Sequence, residues 1–477
     1  MPSSSQAQTD AVPLCVDLDG TLVKTNTLVE VALALVCARP LAVFQIFLWW
    51  LRGHAYLWER LVKSVQVDVR QLPYRGEILQ KIEEARKNDR PVFLVTGAHQ
   101  VIAQQVGAHL GCFAGVFGTT AKRHLVGTSK RDLLVSVFGK EGFDYIGDSY
   151  DDESIFREAR HATWLVKAGR RPKPEPPVTF VRVGPTSRVR PMLRALRPYQ
   201  WSKNVLIFVP LILAHRLNDL EALTAAFITF VAFSLAASSA YCLNDLVDLD
   251  ADRRHQTKRS RPVASGELSI QAAILEAVVL GVVAFLAAWS VSWQTFLVIA
   301  LYAPATFAYS TALKRIVSFD VVVLSGLYAL RLFAGSVATN IPLSPWTVTF
   351  SLFMFLSLAL LKRFAELRNL RDKSIAASAG RDYFVTDLPQ ISALGTASGL
   401  ISVLVIALYV NGMDVQALYS EPARLWLICP LVAAWVCRLW ILVNRGELTE
   451  DPVLYALHDR CSWFLGVLVF AVLIWAA

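Results

Sequence analysis

Cysteine is scarce and scattered. Its seven positions, 15, 37, 112, 242, 429, 437 and 461, give no CxxC pair and no metal-ligand spacing. That excludes a zinc-ribbon or disulfide-stapled scaffold and leaves reduced thiols packed among apolar side chains. No secretory signal is expected either, because residues 1–13 are short and polar, with no basic stretch ahead of an apolar core. Charge is thin as well. Asp, Glu, Lys and Arg make up 18% of the chain against 55% hydrophobic residues, and mean hydropathy is +0.44, well above a soluble average. In such a chain a net charge of +9 reads as a bias of cytoplasmic loops, not as a nucleic-acid surface. No nucleic-acid partner is expected.

What is present is unevenly placed. A length of 477 residues suggests two or more domains. Residues 1–190 mix strand patterns, helix patterns and charge. Beyond 200 the chain is mostly apolar runs of bilayer-spanning length. Nine candidate spans fall at 201–217, 221–242, 270–290, 293–312, 319–338, 346–362, 390–411, 424–444 and 461–477. With a cytoplasmic amino terminus, the loops 243–269, 313–318, 363–389 and 445–460, with Lys362 at a span edge, hold fifteen Lys and Arg. The opposite loops hold Arg216 and Arg424. That asymmetry orients the protein in the inner (cytoplasmic) membrane with its N-terminal domain cytoplasmic.

The densest polar feature sits between the second and third spans. Asn244, Asp245, Asp248, Asp250 and Asp252 are followed by Arg253, Arg254, Lys258, Arg259 and Arg261. Asp245, Asp248 and Asp252 keep i, i+3, i+7 spacing, so on a helix they share one face. Three carboxylates on one face repel unless something positive joins them. Mg²⁺ selects such oxygen ligands and brings substrate phosphate with it. Arg331, about eleven residues into the fifth span, is costly there and is a site candidate by default. Its alternative is a structural partner for a carbonyl or another span.

The first 190 residues carry a second acidic set. Pro13–Asp19 is an apolar strand ending in Asp17 and Asp19. Another strand, Val92–Val95, runs into Thr96. Lys130 follows Gly127-Thr128-Ser129, and Phe143–Ile146 ends in Gly147-Asp148. Strands alternating with helices argue a parallel α/β sheet, with ligands at the carboxyl ends of its strands. The positions suit phosphoryl transfer through an aspartyl-phosphate: Asp17 attacks, Asp19 protonates the leaving oxygen, Asp148 helps hold Mg²⁺, and Thr96 and Lys130 stabilise the phosphoryl oxygens. Leu28–Leu51 is strongly apolar, but Glu30, Arg39 and Pro40 divide it into two helices too short to cross. It reads as a surface-lying cap, with a re-entrant hairpin as the alternative.

Asp17-Leu18-Asp19-Gly20-Thr21, Thr96, Lys130 and Gly147-Asp148 with Asp152 resemble the four motifs of the haloacid dehalogenase superfamily over residues 10–168, with a helical cap at 24–88. A proline-rich linker at 169–190, with Pro172, Pro174, Pro176 and Pro177, separates it from the rest. Residues 191–477 resemble the UbiA superfamily of intramembrane prenyltransferases, whose first acidic motif Asn244-Asp245-x-x-Asp248-x-x-x-Asp252 matches. The fold class is therefore an α/β Rossmann-like domain followed by an all-α polytopic membrane domain of about nine helices. The resemblance implies Mg²⁺ in both domains: at Asp17, Asp19 and Asp148 in the first, and at Asp245, Asp248 and Asp252 in the second.

The expected second Asp-rich repeat is missing. In its place stand Lys362-Arg363-x-x-Glu366, Arg381-Asp382 and Asp387. So basic a loop suggests two phosphorylated substrates. Arg197–Asn204, Thr257–Pro262, the segment from Tyr309 to Lys314, Leu330-Arg331 and Lys362–Leu367 look like the decaprenyl-phosphate phosphoribosyltransferases. That implies transfer of 5-phosphoribose from a phosphorylated sugar diphosphate to a polyprenyl phosphate. Substrate-binding candidates are Lys203, Asn204, Asn244, Lys258, Arg259, Arg261, Lys314, Arg331, Lys362, Arg363, Glu366, Arg381 and Asp382. Two alternatives stay open: transfer of a polyprenyl group from its diphosphate to an aromatic or other acceptor, and a transporter or lipid-binding protein with a regulatory soluble domain.

Overall fold

The computed structural model describes residues 11–120, 123–166, 178–184, 187, 189–372, 381–412, 415, 419–448 and 451–476. The chain divides into two compact units. One holds residues 1–196 and 242–276, the other 197–241 and 277–477.

The first unit is built on six parallel strands: β1 (Leu14–Val16), β2 (Val92–His99), β3 (Gly115–Thr119), β4 (Asp144–Gly147), β5 (His161–Val166) and β6 (Val178–Arg182). Their order is β3-β2-β1-β4-β5-β6. Leu14, Cys15 and Val16 are all buried, as a parallel strand covered on both faces requires. The order reverses direction between β1 and β4, the place where open α/β sheets leave a crevice for ligands. Asp17, just past β1, donates its amide to the Ile146 carbonyl of β4 at 3.0 Å.

Two stretches show how local signals were realised. Asn26 caps the helix Thr27–Ala38 by accepting from the Val29 amide. The chain breaks around Pro40 and resumes as Ala42–Leu51. Both helices are too short to cross a bilayer. The second leaves Leu41, Phe44, Phe47, Leu48 and Trp50 more than half exposed. By contrast, Val178–Arg182 falls inside the expected linker yet pairs with β5 along its length. It is an edge strand, bonded on one side only, and its short sequence follows a proline cluster that masks it. The prolines at 172, 174, 176 and 177 lie outside the described residues.

Among the described residues, seven helices are long and apolar enough to cross a membrane: Leu220–Val247, Ile270–Val291, Trp293–Arg315, Phe319–Thr339, Pro345–Asp372, Val385–Val410 and Pro422–Arg445. A pair bent by 84°, Pro452–His458 with Arg460–Ala476, would make an eighth. Among the described residues the count is thus seven or eight, against an expected nine. The stretch expected as a first span, 201–217, is instead 3-10 turns over Pro198–Phe208 and a short helix, Val209–Leu213. Its Lys203 and Asn204 are buried and bonded to other polar groups, while Ile207 and Leu211 pack into apolar clusters. In the second unit Leu360, Leu361, Ile391, Val436 and Trp440 share one apolar core. Gly395 leaves room for the Trp440 ring, whose Nε1 donates to Ser357 Oγ at 3.1 Å.

Candidate functional site

The crevice at the β1–β4 reversal collects the first acidic set. Lys130, in the first turn of the helix Thr128–Phe138, donates from Nζ to Asp17 Oδ1 at 2.8 Å, to Tyr145 Oη at 2.8 Å and to Asp152 Oδ1 at 3.2 Å. The Tyr145 hydroxyl donates to the same Asp152 oxygen at 3.1 Å. All four side chains are buried. Burial lowers the affinity of Lys130 for its proton, but Asp17 and Asp152 outweigh it and the net shift is upward. Burial pushes Asp17 up to about 7 against the opposing pull of Lys130. Asp19 accepts from the Thr27 amide at 2.9 Å and the Thr27 hydroxyl at 3.1 Å. Burial still carries its carboxyl up to about 6, a range suited to a general acid.

Gly20 has φ +76°, and a Cβ there would collide with the Asp148 carboxylate; the acidic turn closes only because this residue has no side chain. Thr21 Oγ1 lies 3.5 Å from both Asp17 and Asp148. Thr96 is fully buried and accepts the Ala98 amide at 3.0 Å. Asp17, Asp19, Lys130, Asp148 and Asp152 line one cleft of about 640 Å³. Sequence reasoning did not single out Tyr145, inside the buried strand β4, or Thr27, at the start of the helix Thr27–Ala38.

In the second acidic set Asp245 and Asp252 come together on one cation. Asp248 interrupts the helical geometry between Leu220–Val247 and Leu249–Arg254, yet the amides of Asp248 and Asp252 still reach back to the carbonyls of Asn244 and Asp248, both at 2.8 Å. Asp245 and Asp252 are buried, and Arg261 bridges them with one guanidinium nitrogen, at 3.1 and 2.5 Å. Lys258 lies 4.0 Å from Asp252. Burial raises the Asp252 carboxyl more than Arg261 lowers it. Asn244 and Asp248 are half-buried, and Arg259 is exposed.

In the second unit the cations are held by acids. Lys203 and Lys362 both donate to Asp451 Oδ2, at 2.8 and 2.9 Å. Burial pushes the Asp451 carboxyl up, but the two lysines overcome it and hold it well below the usual range. Asp451 lies in the expected loop 445–460 and is not among the site residues expected from sequence. Arg363 pairs with Asp320 at 2.8 Å, both fully enclosed, and with Glu366. Arg381 reaches Glu366 at 2.9 Å, and the Tyr383 hydroxyl donates to Asp320 at 2.6 Å. Arg331 donates to Asn204 at 2.8 Å and to the Leu327 carbonyl. It lies over the rings of Phe233, Tyr302 and Tyr328 at 5.0–5.5 Å, the enclosure a cation–π site requires. Lys314 is half-buried and Asp382 exposed.

Among the described residues, no three His, Cys, Asp or Glu side chains are arranged as a metal site. The chain's own cations, Lys130 and Arg261, stand between the carboxylates instead. The donor chemistry of both sets still fits Mg²⁺, since every candidate ligand is a hard carboxylate oxygen. Asp152 Oδ2 is buried with no hydrogen-bond partner.

The long apolar helices and the Asn244-Asp245-x-x-Asp248-x-x-x-Asp252 segment agree with the class of protein that the chain matches. The chain belongs to the UbiA prenyltransferase family, which it matches over residues 205–465. It is 37% identical to uncharacterized protein y4nM of Sinorhizobium fredii, over 98% of this chain and 91% of that one. It is 40% identical to decaprenyl-phosphate phosphoribosyltransferase of Mycobacterium tuberculosis, over 59% of this chain and 93% of that one. A solved UbiA homologue from Archaeoglobus fulgidus, bound to GPP and Mg²⁺, aligns with 59% of this chain and 99% of its own at 16% identity and a TM-score of 0.47.

Proposed function

We propose that the protein transfers 5-phosphoribose from phosphoribosyl diphosphate to a polyprenyl phosphate, and that its N-terminal domain is a haloacid dehalogenase-like phosphatase acting on the 5-phosphate of the product. The observation that carries the transferase reading is the 40% identity to the mycobacterial phosphoribosyltransferase over nearly all of that protein. The basic replacement of the second Asp-rich repeat supports it over prenyl transfer to an aromatic acceptor, which brings at most one carboxylate.

Asp245, Asp248 and Asp252 are the residues that would hold Mg²⁺, which supplies positive charge against a leaving diphosphate. Arg261, which reaches Asp245 and Asp252, and Lys258, near Asp252, would follow that diphosphate, with Asn244 and Arg259 beside them in sequence. In the other unit Lys203 and Lys362, drawn together on Asp451, are donors for a lipid phosphate. Lys314, Arg363, Glu366, Arg381 and Asp382 would orient substrate or those cations. Asn204 and Arg331 hold each other and would set the polar floor of that unit.

In the N-terminal cleft, Asp17 would attack phosphorus as the ester P–O bond breaks. Asp19, held by Thr27, would give its proton to the leaving oxygen. Water would then cleave the aspartyl-phosphate and return a proton to Asp19. Lys130 balances the charge of Asp17 throughout, and Thr96 would help hold the phosphoryl oxygens. Asp17 and Asp148, with Asp19 and Asp152 beside them, would hold Mg²⁺, which screens one anion from another. The bias of Lys and Arg to one set of loops supports a cytoplasmic face for both reactions.

The deciding experiment incubates membranes containing the protein with ribose-labelled phosphoribosyl diphosphate and polyprenyl phosphate. Label in the lipid phase is expected. Label that stays in water, while polyprenyl diphosphate prenylates an added acceptor, would replace the reading with ordinary prenyl transfer.

A further inference from the structure

The segment 242–276, which carries the acidic set of the transferase, belongs to the same compact unit as the N-terminal sheet. Its attachment there is built from specific contacts. Arg253 makes a two-pronged pair with Glu30 of the cap helix at 2.6 and 3.0 Å, with both side chains 4% exposed. Arg253 Nε also donates to the Ala264 carbonyl at 3.3 Å. Gly266 takes φ +72°, and a Cβ there would lie 2.8 Å from Lys24 Cβ and 3.2 Å from Pro73. Arg194 reaches Glu267 at 2.6 Å and the Ser260 carbonyl at 2.9 Å. Val263, Ala264 and Leu268 are buried.

This packing carries Ser269 and Gln271 to the wall of the cleft that holds Asp17, Asp19, Lys130 and Asp148. Both residues are exposed into it. The charged members of the cleft account for a phosphate and for acid–base work. Ser269 and Gln271 add neutral groups able both to donate and to accept, which is what sugar hydroxyls need. Ser269 Oγ accepts the Ala272 amide at 3.3 Å, and its hydroxyl hydrogen remains available to a ligand.

We propose that the acidic-loop segment of the transferase also forms the substrate-recognition wall of the phosphatase cleft, with Ser269 and Gln271 binding the hydroxyls of a sugar phosphate monoester whose phosphate lies at Asp17. The proposal rests on the phosphatase reading of that cleft. The cap loop at Lys24 and Pro73 and the cap helix at Glu30 hold the wall in place, and Thr27 of the same helix holds Asp19. One helix thus positions both the acid and the residues that read the ester.

The test compares hydrolysis of ribose 5-phosphate with that of p-nitrophenyl phosphate, which has no sugar hydroxyls, by the detergent-solubilised full-length protein. In the Ser269→Ala/Gln271→Ala double variant the ratio of kcat/KM values, ribose 5-phosphate over p-nitrophenyl phosphate, should fall about tenfold, through KM, as expected for two lost hydrogen bonds. A ratio within twofold of the unsubstituted protein would overturn the recognition wall while leaving the phosphatase reading intact. Hydrolysis of neither compound by the unsubstituted protein would overturn the phosphatase reading and this proposal with it.

Discussion

Changing Glu30 to Gln removes the charge from one half of the Arg253 pair and keeps its shape. The guanidinium then stays behind, 4% exposed, with the Ala264 carbonyl at 3.3 Å as its remaining backbone acceptor. With charge centres about 4 Å apart and an effective dielectric constant near 20, the lost attraction is about 4 kcal/mol. Breaking one side of a buried pair typically costs about 3–5 kcal/mol. The loss should appear where the pair acts, as easier local opening of Thr27–Ala38 and Leu249–Arg254. At about 1.4 kcal/mol per tenfold, amide hydrogen exchange in both helices should speed up by about 150-fold or more, while β1 and β4 keep their protection. A Glu30→Leu/Arg253→Met double variant, with no charge left to strand, should recover most of the protection. Acceleration below about threefold in Glu30→Gln, or a double variant that simply sums the two single losses, would refute the argument that this pair fastens the segment.

Asp245→Asn should lower incorporation of labelled phosphoribose into lipid by about 100-fold or more while the purified protein keeps its thermal transition, because a neutral amide is a poor ligand for a hard divalent ion. Asp17→Asn should leave transfer intact and accumulate the lipid that still carries the 5-phosphate, read by mass spectrometry; an unchanged product ratio would remove the N-terminal domain from the sequence of reactions. A nitroxide at Leu48→Cys should be more accessible to oxygen than to a water-soluble nickel complex in nanodiscs, since Ala42–Leu51 exposes Phe44, Phe47 and Leu48 together; the reverse order would place that helix in water. Arg160 bonds Asp144 at 2.9 and 3.0 Å and Arg90 bonds it too, so despite burial its carboxyl is held below the ordinary value. A depressed folded value stabilises above the unfolded one, about pH 4, and that stability is lost as pH falls through the folded value. Asp144→Asn should therefore cost about 1–2 kcal/mol at neutral pH, seen as faster exchange in β4, with the deficit closing in acid.

The parts of the molecule that were legible from sequence share a cause. Asp17 and Asp148 were readable because buried apolar runs end there, and parallel strands place such ends on one edge; Thr96 follows an apolar run too, but it lies within β2 and is fully buried. The break at Pro40 was readable because proline cannot continue a helix. The edge strand Val178–Arg182 was hidden, since five residues behind a proline cluster carry no alternating pattern to mark them. The stretch 201–217 reads as one continuous span because hydropathy averages over Lys203 and Asn204, yet it forms 3-10 turns and a short helix, with those two side chains bonded to partners far along the chain: Asp451, Ser234 and Arg331.

The sequence by itself determined the two acidic sets, their spacing and the likeness that names the family. The i, i+3, i+7 spacing of Asp245, Asp248 and Asp252 is a local pattern, readable without any knowledge of packing. Only the tertiary structure decided what each set answers to. Arg261 closes on Asp245 and Asp252, two lysines 159 residues apart in sequence (203 and 362) meet on Asp451, and Arg253 finds Glu30 across 223 positions. Such pairings are fixed by how the elements pack and by the need to match a buried charge, and neither is written in any local pattern. For the same reason Ser269 and Gln271, ordinary residues at a helix start, come to line a cleft whose other residues begin at Asp17.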